Sequence, residues 1–579
     1  MATLESLLDN PVNLNSATAA DLWFLDDSLV SVVLVARRSG PFSDWADLTQ
    51  RTRLPSDRIQ SLRQFVYLTM DPGVQARLST RLAATGSDER IRTRLNLDGR
   101  QWAAQWVVQR DPGEYHLTDL SDLSVTIRGN STRLALGSHR MTWGLGLVLA
   151  DEFASPRGET LLRPTSRPVH LRPGYSNTNN GVLRGASVHH NWSRFQLFAG
   201  TSHQQADITS GSDGTSQVVA YRTHSGPAAT TGETLGYLAG TTSLLGWEVG
   251  GLTTWYHLQT TSEIHGVRRR VYSLVAMRSF QTQPGEWYIC HEEAIQLHAN
   301  ENAWQVYQRA GQTRLSFIAR SGSRNDRLRL TLMYRSYPPG WIPLRGRLVG
   351  DRVSRGNESG WFFGWQWNHR PWKISGYFDG YRQVEPQLTG SWPREGWESG
   401  LVVRTGKRPI EASLFYRRRE EAAGTGSINT EGLYIVQQRM TAGRYARFVL
   451  AYTGSRNFTA RFMTAVNTSG TGSEQGIGET LGGSLRYSFR SDLSLAVGAY
   501  GFATDGWDQR LYVYEDGLPG EFNFRALSGR GVRVHGRIAL PVGQGLISLR
   551  VARQWYYANP AGTVLRESRQ AGLQMDIAL

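Results

Sequence analysis

From residue 327 to residue 335 the chain reads Arg-Leu-Arg-Leu-Thr-Leu-Met-Tyr-Arg. An extended backbone turns successive side chains to opposite faces, so Leu328, Leu330, Leu332 and Tyr334 share one side and Arg327, Arg329, Thr331 and Arg335 the other. The same grammar recurs from about residue 74 to residue 579. Trp372, Ile374 and Phe378 fall on one side of their segment, and Val532, Val534, Ile538 and Leu540 alternate with Arg533, His535 and Arg537. A long series of half-apolar strands needs something to cover the apolar halves. A soluble chain of 579 residues would divide into several domains, yet no interdomain linker interrupts the pattern. No fixed repeat of the kind a propeller requires is visible. The longest apolar run, Leu29 to Ala36, contains Ser31 and is far shorter than the roughly 20 residues of a membrane helix. Lipid is the remaining cover. A transmembrane barrel hides its apolar residues by alternation, which accommodates a mean hydropathy of −0.40 beside 19 tryptophans.

The expected fold is therefore mainly β: a large antiparallel transmembrane β-barrel over residues 71–579, with a small N-terminal all-α domain over 1–70. Strands begin at Val74 to Ala84 and pair with Arg90 to Leu97. Hairpins follow at Val182 to Trp192 with Phe195 to Ser202, and at Trp247 to Gln259 with Arg269 to Phe280. A spanning strand needs about 9–11 residues, so the chain has room for roughly 22–28 of them. The stretch Ala150 to Asn180 has no period and carries Pro156, Pro164, Pro168 and Pro173. It is either an external loop or an inward-folded constriction. A barrel this wide leaks unless something blocks it, and that stretch and the helical domain are the candidates. The final segment places Leu573, Met575, Ile577 and Leu579 on one face, with Gln574 and Asp576 on the other.

The first 70 residues follow a helical pattern instead. Thr18 with Asp21 resembles a capping box, and Leu22, Leu25 and Leu29 form a stripe. A second helix runs from Leu29 to Arg38 and stops at Gly40-Pro41. Ser43 is placed to cap a third and Ser56 a fourth, whose face is Ile59, Leu62 and Val66. The residues Pro11-Val12-Asn13-Leu14-Asn15-Ser16-Ala17-Thr18, Ala36-Arg37-Arg38, Gly40-Pro41-Phe42 and Asp47-Leu48 resemble the tandem helix-hairpin-helix domain of competence-type DNA-binding proteins. In that family glycine-rich hairpins offer backbone N–H groups to phosphates. Here the hairpins read Asp26-Asp27-Ser28 and Thr52-Arg53-Leu54-Pro55, without glycine, and two aspartates oppose a phosphate. The expectation is a periplasmic or lumenal plug, or a docking module for protein. DNA or anion contacts, if made, fall to Arg37, Arg38, Arg51, Arg53 and Arg58.

The barrel also resembles a family. Trp143-Gly144-Leu145-Gly146-Leu147-Val148-Leu149-Ala150-Asp151, Tyr334-Arg335-Ser336-Tyr337-Pro338-Pro339-Gly340 and Asn357-Glu358-Ser359-Gly360-Trp361-Phe362-Phe363-Gly364 look like segments of the large barrels of Bacteroidetes-type Gram-negative bacteria that carry an N-terminal helix-hairpin-helix segment. The resemblance implies architecture and an outer-membrane location, and no activity.

No catalytic or cofactor site emerges. His291-Glu292-Glu293-Ala294-Ile295 begins like a zinc-protease motif, but Ile295 stands where the second histidine belongs. His189 and His190 face opposite sides of a strand. Gly144-Leu145-Gly146 lacks the third glycine and the helix of a dinucleotide loop. The runs Arg268-Arg269-Arg270 and Arg417-Arg418-Arg419 read as rim or lumen charges. One cysteine, Cys290, excludes an internal disulfide framework. The net charge of +15 reads as lumenal arginine balanced by nearby carboxylates. Met1-Ala2-Thr3-Leu4-Glu5 is not a secretory leader, so an exported chain is expected to start upstream or to be a mature form; a soluble β-rich cytoplasmic protein is the reading that its absence alone would favour. The pattern points to a non-enzymatic outer-membrane channel, conduit or assembly component, gated or plugged by its helical domain. Its partners are membrane lipid, lipopolysaccharide and periplasmic or outer-membrane proteins. The alternative is a DNA-binding or DNA-uptake barrel.

Overall fold

A computed structural model describes residues 12–15, 27–37, 39–52 and 66–68 of the N-terminal region, with a few single positions between them. It describes 74–578 apart from connecting stretches, the longest being 113–119, 151–157, 163–169, 175–181, 222–229, 259–266, 386–392 and 558–563.

Among the described residues, 24 strands follow one another in antiparallel order, from Gln75–Thr85 to Val564–Ala578, and the last pairs with the first. The ladder is therefore closed and has no edge to protect. The expected pairings are present: Gln75–Thr85 with Asp88–Asp98, Leu183–Trp192 with Phe195–Ser210, and Trp247–Leu258 with Val267–Thr282.

Register decides which side chains meet. Leu82 lies opposite Leu573, Leu573 opposite Leu549, Leu549 opposite Ile538, Ile538 opposite Leu495 and Leu495 opposite Tyr487. This row crosses six strands, and each member is 41–45% exposed. Its neighbours along the strands point the other way: Gln574, Ser548 and Ala496 are buried. The segment 327–335 behaves alike. Leu332 and Tyr334 face outward, whereas Thr331, Met333 and Arg335 are at most 1% exposed. A one-residue slip would move all of these to the wrong face, so the apolar pattern itself fixes the register.

The two ends of the barrel differ. The turns after Asp98, Arg128, Trp192, Leu244, Thr282, His369, Lys407 and Val542 are short, while the long connections 143–182, 338–357 and 505–529 lie at the opposite end. The first strand begins and the last strand finishes at the short-turn end, which is where the N-terminal region joins.

That region has a hydrophobic cluster of its own, including Leu14, Leu22, Val30, Val33, Phe42, Leu48, Leu62 and Val66. Two helices are described, Asp27–Arg37 and Trp45–Thr52. The first stops at Gly40, whose φ of 122° suits glycine. The second is capped by Asp44, not by Ser43: Asp44 Oδ1 accepts the Asp47 amide at 2.8 Å, and the Asp47 carboxylate accepts the Ser43 amide at 2.9 Å. The expected all-α character also needs correcting, because Val12–Asn13 pairs in parallel with Val66–Tyr67 and clasps the two ends of the region together. The helices expected at Thr18 and Ser56 lie outside the described residues. The Tyr67 hydroxyl donates to Asp98 at the barrel rim.

Candidate functional site: the lumen and its inward-folded connections

Three connections from the long-loop end turn into the barrel. The first follows the strand Thr132–Thr142. Trp143, Leu147, Val148 and Leu149 are fully or almost fully buried, and a single carboxylate holds their backbone. Glu292, on the strand Gly285–Asn300, accepts the amides of Leu145 at 2.6 Å and Leu147 at 3.2 Å. Ser273 donates to its other oxygen at 3.0 Å, and the Trp143 indole donates to Ser273 at 3.1 Å. Gly144 has a φ of 56°, and a Cβ there would lie 2.6 Å from the Glu292 carboxylate, so only glycine fits this turn. Further along, the short 3-10 turn Gly158–Leu162 crosses to the far wall. Leu161 and Leu162 pack against Met333, Val349, Phe362 and Tyr377. Arg404 donates to Glu159 at 2.6 Å and Ser375 donates at 3.0 Å. Burial alone would raise the Glu159 carboxyl, but the Arg404 guanidinium outweighs it and holds the group below its ordinary value.

The second connection follows Tyr337. Trp341 and Leu348 are buried against the first. Leu149 and Arg345 form a parallel bridge, with the Ala150 amide donating to the Arg345 carbonyl at 2.8 Å and the Arg345 amide to the Val148 carbonyl at 3.2 Å. Gly346 lets the backbones meet, since a Cβ there would sit 2.5 Å from the Leu147 carbonyl oxygen. The Arg345 guanidinium reaches the wall at Glu233. The two connections are thus joined into one layer against the inner wall.

The third is a hairpin, Leu511–Glu515 paired with Asn523–Leu527, between the wall strands Ser494–Thr504 and Arg530–Val542. Leu511, Val513 and Leu527 are fully buried, and Leu518 nearly so. Glu515 has no exposed surface. It accepts from Arg533 Nη2 at 3.0 Å, Arg550 Nη2 at 2.5 Å and Asn523 at 3.3 Å. The hairpin tip reaches far down the lumen. Arg486 pairs with Asp516, Arg537 donates to the Gly517 carbonyl at 3.1 Å, and Arg81 donates to the Pro519 carbonyl at 2.6 Å. Arg486 and Arg537 lie opposite Ala496, two residues from the short-turn end of its strand.

The inner wall therefore combines buried polar groups with an apolar stretch under the first two connections, including Phe198, Leu235, Leu252 and Val271, and segments of the chain fold against it. Arg335 shows how the wall itself is neutralised. It is fully buried and bonds Glu358 and Asp379 on the next two strands, both at 2.7 Å. Buried charges need such partners, and here each comes from a neighbouring strand. Arg418 with Glu420, and Arg419 with Glu421, resolve much of the basic run at 417–419 within one strand.

The sequence-predicted residues are spread out. Arg37 donates to the carbonyls of Leu14 at 2.7 Å and Ala17 at 2.6 Å. Arg51 donates to the carbonyls of Gly40 at 2.7 Å and Pro41 at 3.1 Å and lies 4.6 Å from the centroid of the Phe42 ring. Both guanidiniums are engaged inside the N-terminal region. Arg38, Arg53 and Arg58 lie outside the described residues. His189 stacks on Phe198 and His190 meets Thr132, on opposite faces. His291 bonds Thr313, while its neighbour Glu292 turns inward. No group of three metal-ligating side chains occurs among the described residues. Sequence reasoning missed Glu292 and Glu515. The available signal was length, since five-residue strands at 511–515 and 523–527 are too short to span a membrane.

The outward face is apolar over the wall strands, as in Trp106, Leu123, Leu332, Trp361, Phe363, Phe378, Leu481 and Val551. No helix among the described residues is long and apolar enough to cross a membrane. A closed barrel with an apolar outside, most of its polar side chains turned inward and no edge is a transmembrane β-barrel of the outer-membrane class. No protein-family model matches the chain. No curated protein matches it. Among solved structures it is similar to the siderophore receptor PirA from Pseudomonas aeruginosa, at 7% identity and TM-score 0.44 over 88% of this chain and 81% of that one. It is similar to the FrpB iron transporter from Neisseria meningitidis, at 10% identity and TM-score 0.41 over 88% and 82%. A third similar structure is the copper transporter OprC, at 8% identity and TM-score 0.44 over 88% and 82%. Likenesses this distant carry no weight for activity, and the barrel rests on its own strand register.

Proposed function

We propose that this protein is an outer-membrane conduit held shut by its own inward-folded connections. The observation that carries the reading is the way those connections are fastened. Glu292 grips backbone amides of the first, Glu233 holds Arg345 of the second, and Arg533 with Arg550 hold Glu515 of the third. Each polar fastening lies beside apolar packing, that of Trp143, Leu147 and Trp341 for the first two connections and of Val513 and Leu527 for the third, so the closed form is held by both. Short turns face the periplasm in barrels of this class, so the N-terminal region sits at the periplasmic mouth and the three connections enter from outside. There the N-terminal region acts as a docking or gating module for a periplasmic or outer-membrane protein.

The test is conductance in planar bilayers. The full chain should conduct little. A variant in which residues 506–528 are replaced by a short Gly-Ser turn should conduct steadily, and loss of residues 1–70 should change gating if the module gates. A hairpin-less variant as tight as the full chain overturns the reading.

A further inference from the structure

One cleft in the lumen brings two guanidiniums together with aromatic side chains. It lies between the inward hairpin and the wall, measures about 290 Å³, and is lined by Arg447, Arg461, Met463, Tyr514 and Phe524. Arg447 and Arg461 come from adjacent strands, Tyr434–Tyr452 and Phe458–Thr471, on either side of the Val449–Met463 pair. Tyr514 and Phe524 are directly opposed in the hairpin, with ring centroids 5.6 Å apart at 61°. The Arg461 guanidinium lies 5.7 Å from the Tyr514 ring centroid, and Arg447 5.7 Å from that of Phe415.

Several buried arginines of this lumen are neutralised by a carboxylate, as Arg335, Arg345, Arg533 and Arg550 are, and others, such as Arg537 and Arg314, donate to backbone carbonyls. Among the described residues Arg447 and Arg461 have no carboxylate. The hairpin's acids are committed away from the cleft, Glu515 to Arg533 and Arg550 and Asp516 to Arg486. Two uncompensated guanidiniums in a partly desolvated site repel each other, and an anion between them relieves both the repulsion and the lost hydration. Guanidinium forks match carboxylate and phosphate oxygens, while the tyrosine, phenylalanine and methionine side chains offer flat apolar surface. The volume is at the small end for ligand sites.

We infer that this cleft binds a small planar organic anion, its charged group between Arg447 and Arg461 and its flat body against Tyr514, Phe524 and Met463. The site stands on the cleft's geometry and does not require the barrel to conduct.

The probe is anthranilate, a fluorescent planar anion, titrated into the purified full chain in detergent. Anthranilamide, of the same shape without the charge, and inorganic phosphate serve as the other arms. The expected result is saturable anthranilate binding with at least tenfold preference over anthranilamide, and weak competition by phosphate. Arg461→Gln and Arg447→Gln should each weaken it about tenfold or more, the scale of one charge-assisted contact. Tyr514→Leu should weaken anthranilate and leave phosphate unchanged. Equal binding of the amide removes the anion claim, phosphate binding as tightly as anthranilate removes the planar-body claim, and no saturable binding by the wild type removes the site. The wild-type comparison of three ligands decides the matter even if a variant fails to fold.

Discussion

Replacing Glu515 by glutamine keeps the shape of the latch and removes its charge. In the folded protein this carboxylate is completely buried and holds two guanidiniums from the wall, Arg533 and Arg550, at 3.0 and 2.5 Å, with Asn523 at 3.3 Å. Glu515→Gln leaves both cations in place without their counter-charge. Breaking a buried pair from one side typically costs about 3–5 kcal/mol, because the remaining charge stays desolvated. Glutamine retains a hydrogen-bond acceptor, so the lower end applies, about 3 kcal/mol. That free energy disfavours the seated hairpin relative to the withdrawn one, where Arg533 and Arg550 regain water. A shift of this size changes the ratio of closed to open forms by roughly a hundredfold. Single-channel recording in planar bilayers reads that ratio as open time. The outer wall is unaltered, so the variant should still insert and show heat-modifiable gel mobility. A correctly folded Glu515→Gln protein whose open time equals that of the wild type refutes the reasoning, since the hairpin would then be held by its apolar residues alone.

Other expectations follow from the same contacts. Glu159 has an ordinary pKa of 4.5 and a lower one here through Arg404, so its anchoring is complete above the ordinary value and fades as pH falls through the depressed one. Conductance should therefore rise only under acid conditions below that ordinary value, and Glu159→Gln should remove this acid step. On the outer wall, Val551→Arg puts a charge in the apolar belt and should cost about 2–4 kcal/mol in reversible urea unfolding from vesicles. In the N-terminal region, Arg51→Ala leaves the carbonyls of Gly40 and Pro41 without their donor, and hydrogen exchange in the helix Asp27–Arg37 should accelerate; Arg51→Lys should rescue it poorly, lacking the planar fork.

The sequence was most informative where one physical rule governed a whole strand. Alternation at Leu328–Tyr334 and at Leu573–Ile577 follows from having lipid on one side and water on the other, and the register rows carry it around the ring. Alternation is silent about which surface an apolar face meets. Val513 is fully buried and Leu332 is exposed, yet both sit in alternating segments, and only the five-residue length of the strand at 511–515 separates them. The stretch after Thr142 could be read as an external loop or an inward fold. Its placement inside depends on Glu292, 145–147 positions away in the chain, donating no local signal at all. The N-terminal arginines illustrate the reverse problem. Arg37 and Arg51 look like a basic face because sequence shows charge and not partners, and their partners are backbone carbonyls and, for Arg51, the Asp47 carboxylate as well.

The central claim is that the apolar faces of these strands are solvated by acyl chains. Spin labels on single cysteines at positions 332, 485 and 551, with buried Cys290 replaced by alanine, report it directly in reconstituted vesicles. Collisions with oxygen, which dissolves in lipid, should dominate at all three, and a label at inward-facing position 331 should respond far less. Labels at 332, 485 and 551 that instead collide freely with a water-soluble nickel chelate and resist oxygen would contradict the account.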